Sequence, residues 1–104
     1  MNLQQEQWWA EAQKDENAVF LDVRTPEEFK EKHISGAINA NVLGGDFEQK
    51  VITLDKNKPI LVYCKSGVRS ANAAAKLKAM GFTTIIDLDG GITKWVAEGK
   101  PVVN

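Results

Sequence analysis

The chain has 104 residues, and its 13 lysine and arginine residues nearly balance its 14 acidic residues, for a formal net charge of -1 at pH 7. This length suits one compact domain over residues 1–104. Such a charge balance gives no electrostatic case for a nucleic-acid or anionic-membrane partner. Because Cys64 is the only cysteine and His33 the only histidine, an internal disulfide, a dithiol redox pair and a four-ligand zinc site are excluded.

The N-terminal segment does not resemble a leader peptide. The first six residues carry no basic segment followed by an apolar one, and no apolar stretch is long enough to span a bilayer. These patterns predict a cytoplasmic protein, in a compartment where thiols stay reduced. We expect no membrane partner.

The first predicted element is a helix over about residues 3–14. Asn2 is a residue type that caps helices, and Leu3, Trp8 and Ala12 are the candidate inward positions. Residues 18–23 are nearly continuously apolar, which is typical of a parallel strand covered on both faces.

A capping box follows this strand. Thr25 suits the N-cap position, Pro26 the first helical position, and Glu28 stands three residues after the cap. We therefore predict a short helix to about residue 32.

The elements predicted after it are a turn into a small strand over 33–40, a helix over 47–54, a strand over 59–63, a helix over 70–80, a strand over 83–88 and a helix over 92–98. The alternation predicts an α/β three-layer domain with a mainly parallel sheet of about five strands flanked by helices.

Cys64 lies between a predicted strand and a predicted helix, at the sheet edge where α/β proteins bind ligands. Free amides at such a helix start stabilise an anion, so a reactive thiolate is the first hypothesis. Gly67 permits a positive φ, and two cationic side chains stand in the loop. The residues of this candidate anion-binding loop are Lys65, Ser66, Gly67, Val68, Arg69 and Ser70.

The residues alone leave two reactions open. No neighbouring base is evident, so the thiolate has to be activated by the electric field of the helix start and the cationic side chains rather than by a histidine. Attack on a sulfane sulfur would leave a persulfide, and attack on a phosphate would leave a thiophosphate ester.

Several motifs in order resemble those of the rhodanese sulfurtransferases. The active-site loop of that family is similar to Cys64, four intervening residues, Arg69 and then a serine that opens a helix. Its upstream signature is similar to residues 21–29 followed by 33–39, and its closing signature to residues 89–95 followed by 99–102. The length resembles that of a single-domain rhodanese.

The resemblance implies a rhodanese-like domain and a double-displacement reaction. The Cys64 thiolate would take the outer sulfur of thiosulfate or a related persulfide donor, and the loop would hold the Cys64 persulfide. A thiophilic acceptor would then remove it: cyanide in vitro, and a thiol or a partner protein in cells. No cofactor is implied. Lys65 and Arg69 would attract the sulfonate end of the donor.

Two alternatives to this enzyme remain. The first is a small phosphatase or arsenate reductase that uses the same anion cradle. In the related phosphatases the loop is one residue longer, so the four residues between Cys64 and Arg69 favour sulfur. The second is a non-enzymatic sulfur-carrier or binding module, a role that family members usually take when the cysteine is missing.

The supporting residues have structural interpretations that we weigh against functional ones. For Asp22 and Arg24 we favour a role in fixing the strand end over substrate contact. For Arg69 we favour contact with substrate or loop over an ion pair with Asp22 or Glu28. His33 is interpreted as a hydrogen-bonded turn residue.

The remaining residues with an assigned role are structural. Trp8, Trp9 and Trp95 are assigned to the core or to helix packing. The glycine pairs at 44–45 and 90–91 are interpreted as turns.

Overall fold

The computed structural model describes residues 2–104, and within them strands and helices alternate. In chain order the elements are β1 (Asn2–Leu3), α1 (Gln5–Lys14), β2 (Val19–Asp22), α2 (Pro26–Glu31), β3 (Ile38–Asn39), α3 (Phe47–Val51), β4 (Ile60–Tyr63), α4 (Val68–Ala79), β5 (Ile85–Leu88) and α5 (Gly91–Ala97). The five strands form one sheet in the order β1-β5-β4-β2-β3. All of its pairings are parallel, so the predicted α/β architecture is confirmed.

β4 lies at the centre of the sheet, and its register determines which residues share the carboxyl edge. Tyr63 at its end pairs with Asp22 at the end of β2, and Val62 pairs with Asp87 near the end of β5. Because parallel strands end at the same edge, the segments that follow Asp22, Tyr63 and Leu88 emerge side by side. Ligands of open α/β sheets bind at this edge.

The four residues of β4 are all buried and alternate between two cores, as expected of a strand covered on both faces. The core that α3 and α4 cover contains Leu21, Val23, Ala40, Val42, Phe47, Val51, Ile60, Val62, Cys64, Ala73, Leu77 and Phe82. The core that α1 and α5 cover contains Trp8, Ala12, Ile34, Leu61, Tyr63, Ile86, Leu88, Ile92 and Trp95.

The capping box at the start of α2 is confirmed. The backbone N–H of Glu28 donates to Thr25 Oγ1 at 3.3 Å, and Glu28 Oε1 accepts from the backbone N–H of Thr25 at 3.1 Å. Pro26 opens the helix. The segment is a helix although none of its residues is buried, so local capping rather than core packing determines where it begins.

The start of the chain differs from the prediction. Asn2 and Leu3 form β1, which pairs with the end of β5, and α1 begins only at Gln5. The predicted Asn2 cap is wrong: Gln4 stands at the N-cap and no side chain caps the helix. Strand pairing satisfies the backbone here instead, and the Leu3 carbonyl also accepts from the N–H of Asp89 at 2.9 Å.

The tryptophans pack as predicted, and one further element differs in length. Trp8 and Trp95 are buried in the core, and the 41% exposed Trp9 is a helix-packing residue, with its ring centroid 5.7 Å from that of Phe20 and 5.8 Å from that of Trp95 in α5. The helix predicted over 47–54 ends at Val51. None of the helices in residues 2–104 has both the length and the apolar character that crossing a membrane requires.

Candidate active site

Cys64 directly follows β4 at the carboxyl edge of the sheet. Its side chain is 1% exposed and belongs to the core under α4. The backbone N–H of Gly67 donates to Cys64 Sγ at 3.0 Å. Gly67 caps α4 with a φ of 118°, a left-handed conformation that glycine adopts at little steric cost. The turn therefore directs a backbone donor and the positive end of the helix towards the sulfur, which stabilises negative charge there.

Ser70 lies in the first turn of α4 and is fully buried. The Cys64 thiol is 3.4 Å from Ser70 Oγ, and that hydroxyl donates to the Gly67 carbonyl at 3.2 Å. A hydroxyl can rotate to donate to a different acceptor. When Cys64 is a thiolate, Ser70 is therefore placed to donate a second hydrogen bond to the sulfur.

The other loop residues face outward or away from the sulfur. Lys65 and Ser66 are exposed, and the Val68 side chain is 73% exposed. In residues 2–104, the Gly67 amide is the one backbone N–H that the structure directs onto Cys64 Sγ. The sequence pattern predicted a nest of several amides, whereas one amide points at the sulfur here. The first turn of α4 supplies further N–H groups that have no intrahelical acceptor.

The N-terminus of α5 fixes the start of the loop, a contact that the sequence pattern did not predict. The N–H of Ile92 donates to the Cys64 carbonyl at 2.9 Å, and the N–H of Thr93 donates to the Lys65 carbonyl at 3.0 Å. Gly91 has a φ of 60°, and a Cβ placed on it would lie 2.5 Å from the Lys65 carbonyl oxygen and 2.6 Å from that of Cys64. Gly91 is therefore more than a turn residue, because only glycine allows this close approach.

Arg69 contacts Glu28 of α2 rather than the loop. Its guanidinium makes two parallel bonds to that carboxylate, NH1 to Oε1 at 2.7 Å and NH2 to Oε2 at 3.0 Å. The structure thus shows the ion pair that the sequence pattern ranked below a substrate or loop contact. The two residues are 41 positions apart in sequence, and one carboxylate serves both the helix cap and the loop arginine.

This pair changes the proton affinity of both partners. The two bonds from Arg69, with smaller contributions from Thr25, lower the pKa of Glu28 to about 2 although burial opposes the shift. The bond to Glu28 in turn raises the pKa of Arg69. Both groups are charged at neutral pH, so the positive charge at this side of the loop is largely neutralised by Glu28.

We expect Glu28→Gln to destabilise the fold at pH 7 by on the order of 2 kcal/mol. A carboxylate whose pKa is lowered from 4.5 to about 2 on folding stabilises the protein above pH 4.5, and this stabilisation is lost as the pH falls towards 2. Urea denaturation of wild type and variant should therefore differ at pH 7 and converge near pH 2. Glutamine keeps the capping box, so the difference reports the charge.

The matched control for this measurement is Glu31→Gln on the same helix. The Glu31 side chain is exposed and makes no ion pair within the described part of the chain. Its substitution should change the free energy of unfolding by less than about 0.5 kcal/mol. Equal destabilisation by the two substitutions would show that the pair with Arg69 contributes nothing specific.

Asp22 and Arg24 form a buried ion pair at the end of β2. Arg24 NH2 donates to Asp22 Oδ2 at 2.7 Å and to the Lys32 carbonyl at 2.6 Å, and Arg24 Nε donates to Asp22 Oδ1 at 3.0 Å. The guanidinium also lies 5.8 Å from the ring centroid of Tyr63. These contacts hold the end of α2 and the end of β4 together, which is the supporting arrangement that we favoured for this pair.

His33 also has the contacts of a turn residue. Its Nδ1 lies 2.8 Å from the Phe29 carbonyl, and its backbone exchanges two hydrogen bonds of 2.8 Å with Val103. Within the described residues no group of three or more histidine, cysteine, aspartate or glutamate side chains is arranged to hold a metal ion.

A pocket of about 440 Å³ opens beside the loop. Ile92, Val96 and Ala97 of α5 form one wall. Lys65 and the end of α2 form the other. The pocket therefore adjoins Cys64 through its neighbour Lys65, whose carbonyl is bonded to α5.

Comparison with known proteins agrees with this geometry. A family model described as a rhodanese-like domain matches residues 5–98. The chain belongs to the rhodanese-like domain family. YtwF of Bacillus subtilis is 39% identical over 87 residues, a match that covers 84% of this chain and 82% of YtwF. The thiosulfate sulfurtransferase GlpE of Pseudomonas syringae is 36% identical over 87 residues, with 83% of this chain and 79% of GlpE covered.

Solved rhodanese structures share the same fold. The crystal structure of a rhodanese-related protein from Thermoplasma volcanium superposes with a TM-score of 0.83 at 33% identity, and covers 98% of this chain and 96% of its own. The predicted family and fold are thus confirmed, and the sulfurtransferase names of relatives support the general class of activity.

Proposed function

We propose that the protein is a sulfurtransferase that moves a sulfane sulfur from thiosulfate or a similar donor to a thiophilic acceptor through a Cys64 persulfide. The observation that carries the proposal is the Gly67 N–H that points at Cys64 Sγ, 3.0 Å away, at the head of α4. A thiolate held there is stabilised without a neighbouring base. Membership of the rhodanese-like family supports the same reaction.

The first half-reaction forms the persulfide. The Cys64 thiolate attacks the outer sulfur of thiosulfate, the new Sγ–S bond forms, and the old S–S bond breaks with its electron pair leaving on sulfite. The outer sulfur of the persulfide then carries the negative charge. The Gly67 amide, the Ser70 hydroxyl and the first-turn amides of α4 are the donors that would stabilise it.

The second half-reaction releases the sulfur. An acceptor anion, cyanide or a thiolate, attacks the outer sulfur, and the Sγ–S bond breaks to return the Cys64 thiolate. Charge and atoms balance in both steps, so neither needs an external oxidant, a proton donor or a cofactor. Lys65 is exposed beside the loop and takes part in no ion pair among residues 2–104, so its charge would attract an anionic donor.

Arg69 acts on the loop through Glu28 in this proposal. Its guanidinium is held by two bonds to that carboxylate, so its charge is screened from a donor. The pair ties the start of α4 to α2 and so keeps the Cys64 turn in place. Donor attraction then depends chiefly on Lys65 and on backbone amides.

We propose that residues 1–104 act as one rhodanese domain. The sulfur donor is thiosulfate or a persulfide, and the acceptor in cells is a thiol or a protein. The protein works in the cytoplasm, because a reducing compartment keeps Cys64 available as a thiol.

A phosphatase is the weaker candidate, since four residues separate Cys64 from Arg69 where related phosphatases have one more.

The test is a pair of assays on the purified protein. With thiosulfate and cyanide we expect thiocyanate to form catalytically, and with an aryl phosphate ester we expect no hydrolysis. Thiocyanate formation without hydrolysis of the aryl phosphate ester supports sulfur transfer. Phosphate release without thiocyanate would replace the proposal with the phosphatase. A protein inactive in both assays, whose Cys64 also takes no sulfur from an organic persulfide, would be a binding module.

A further inference from the structure

Asp87 is a buried acidic side chain that the proposed reaction does not use. It is 6% exposed and pairs in register with Val62 of β4. Its neighbours Ile86 and Leu88 in β5 both belong to the core that α1 and α5 cover, so by strand alternation Asp87 faces α4 on the other side of the sheet. Cys64 belongs to the core on that side, two residues beyond Val62. The carboxyl therefore lies on the same face of the sheet as the reactive sulfur, one strand away.

The Asp87 carboxyl is incompletely hydrogen bonded. Its Oδ1 atom is buried, and in residues 2–104 this atom has no hydrogen-bond partner. Buried oxygen atoms of this kind are rare, because an acceptor taken out of water needs a donor in its place. The hydrogen-bonding side chains beside the carboxyl are Ser70 of α4 and Asn2 of β1. Ser70 also contacts the Cys64 sulfur, so its hydroxyl connects the carboxyl to the reactive site.

The Ser70 hydroxyl has one proton and several groups that can accept it. Its Oγ lies 3.4 Å from Cys64 Sγ and 3.2 Å from the Gly67 carbonyl oxygen, and the Asp87 carboxyl is the third neighbour. An ionised carboxylate forms a short charge-assisted bond and so competes with the sulfur for this proton. A neutral carboxyl can instead donate its own proton to Ser70 Oγ. The Ser70 proton is then free to bond the Cys64 thiolate.

The protonation of Asp87 is shifted towards the neutral form. Burial raises the pKa of Asp87, against the hydrogen bonds from Ser70 and Asn2, and the carboxylate of Asp89 just beyond β5 adds to the rise. In the part of the chain that the structure describes, these are the side chains that act on the carboxyl from α4, β1 and the turn after β5. A negative charge on the Cys64 sulfur, on the same face of the sheet, favours the neutral form further.

We propose that Asp87 is a positioning residue that controls, through the Ser70 hydroxyl, the hydrogen bonding of the Cys64 sulfur. When the carboxyl is neutral it donates to Ser70 Oγ, and Ser70 donates to the thiolate or to the outer persulfide sulfur. Ionisation releases the carboxyl proton to solvent, turns the Ser70 hydroxyl towards the carboxylate and adds a negative charge beside the sulfur. The inference rests on the proposed sulfur transfer and names a regulation of that same site, in which the sulfur is stabilised more strongly on the acid side of the Asp87 titration.

The test measures the reactivity of Cys64 without any sulfur donor. The probe is iodoacetamide, which alkylates a thiolate, and the readout is the rate constant from intact-mass spectrometry between about pH 5 and about pH 8. Asp87→Asn is neutral at every pH and keeps a group that can donate to Ser70 Oγ. We expect this variant to react about tenfold faster than wild type at pH 7, with the ratio falling towards one at the acid end. A ratio that stays at one across the range would overturn the proposal.

Removal of the Ser70 hydroxyl shows whether Asp87 acts through it. In a Ser70→Ala background, Asp87→Asn still removes a negative charge but has no hydroxyl proton to redirect. We expect its effect on the alkylation rate at pH 7 to fall from about tenfold to about threefold or less. An equal effect in both backgrounds would show that Asp87 acts by its charge alone, which contradicts the positioning role.

The matched control is Asp89→Asn, which removes the same charge two residues along the chain. The Asp89 carboxylate accepts from Gln4 Nε2 at 3.0 Å and pairs with Lys94 at 4.0 Å, on the side of the sheet edge that α1 and α5 flank. We expect its substitution to change the alkylation rate by less than about twofold. An effect as large as that of Asp87→Asn would show that any nearby charge has the same influence, and would count against the proposal.

The wild-type protein provides a measurement that does not depend on the folding of a variant. The ¹³Cγ NMR signal of Asp87 should titrate at a higher pH than the signals of exposed aspartates, because burial favours its neutral form. A signal that titrates together with those of the exposed aspartates would refute the control of Ser70 by Asp87.

Failure of this control and failure of the sulfur transfer give different results. Thiocyanate formation by a protein whose alkylation rate does not respond to Asp87→Asn would refute the role of Asp87 and leave the sulfur transfer intact. The expected alkylation pattern in a protein whose Cys64 takes no sulfur from any donor would refute the sulfur transfer and leave the role of Asp87 in place.

Discussion

Cys64→Ser should abolish thiosulfate-dependent thiocyanate formation, with a loss of at least about a thousandfold in kcat/KM. Serine keeps a hydrogen-bonding atom near the Gly67 amide and the Ser70 hydroxyl, but an alcohol is not ionised at neutral pH and forms no persulfide. The measurement is the initial rate of thiocyanate release over a range of thiosulfate concentrations that includes subsaturating ones, with wild type assayed in parallel.

The same variant should fold normally. The site is buried, and oxygen is smaller than sulfur, so we expect the free energy of unfolding to change by no more than about 1 kcal/mol. Urea denaturation separates lost chemistry from lost structure. A folded Cys64→Ser protein with wild-type turnover would show that another group carries the reaction.

Gly91→Ala should damage both the fold and the reaction. The new Cβ would meet the carbonyl oxygens of Lys65 and Cys64 at 2.5 and 2.6 Å, and the φ of 60° is unfavourable for alanine. Those carbonyls belong to the reactive turn, so relief of the clash has to move it. We expect a loss of about 2 to 4 kcal/mol in unfolding free energy, and a fall in kcat/KM of about a hundredfold in the protein that remains folded.

Gly99→Ala is the matched control for this substitution. Gly99 also has a positive φ, 77°, but a Cβ on it would meet nothing within 4 Å. It ends the same helix as its C′ residue. We expect a destabilisation of about 1 kcal/mol and unchanged kcat/KM. If Gly91→Ala had no greater effect on activity than Gly99→Ala, the contact of α5 with the loop would not position Cys64.

Sequence patterns predict this fold well where local chemistry determines structure. The capping box is determined by the four consecutive residues from Thr25 to Glu28. β2 and β4 are each indicated by the apolar residues of their own segment and the turn residues beside it. The position of Cys64 between a strand and a helix follows from the same local signals. These features are confirmed because nothing distant competes with them.

The differences arise where a distant segment supplies the partner. Asn2 and Leu3 look like a helix start until β5 offers them a strand edge. Arg69 is paired with Glu28, which lies 41 residues away and already has a capping role in its own helix. Gly91 reads as a turn residue until the packed structure brings the loop carbonyls against it. Single-sequence patterns do not determine such contacts: they offered Glu28 as one possible partner of Arg69 but gave no physical reason to rank that pair first.

The central claim is that Cys64 carries the transferred sulfur. Mass spectrometry of the intact, reduced protein after incubation with thiosulfate or an organic persulfide tests it most directly. We predict a gain of the mass of one sulfur atom, located on the peptide that contains Cys64, absent from Cys64→Ser and removed by cyanide. A folded protein whose Cys64 gains no sulfur from either donor would contradict the account.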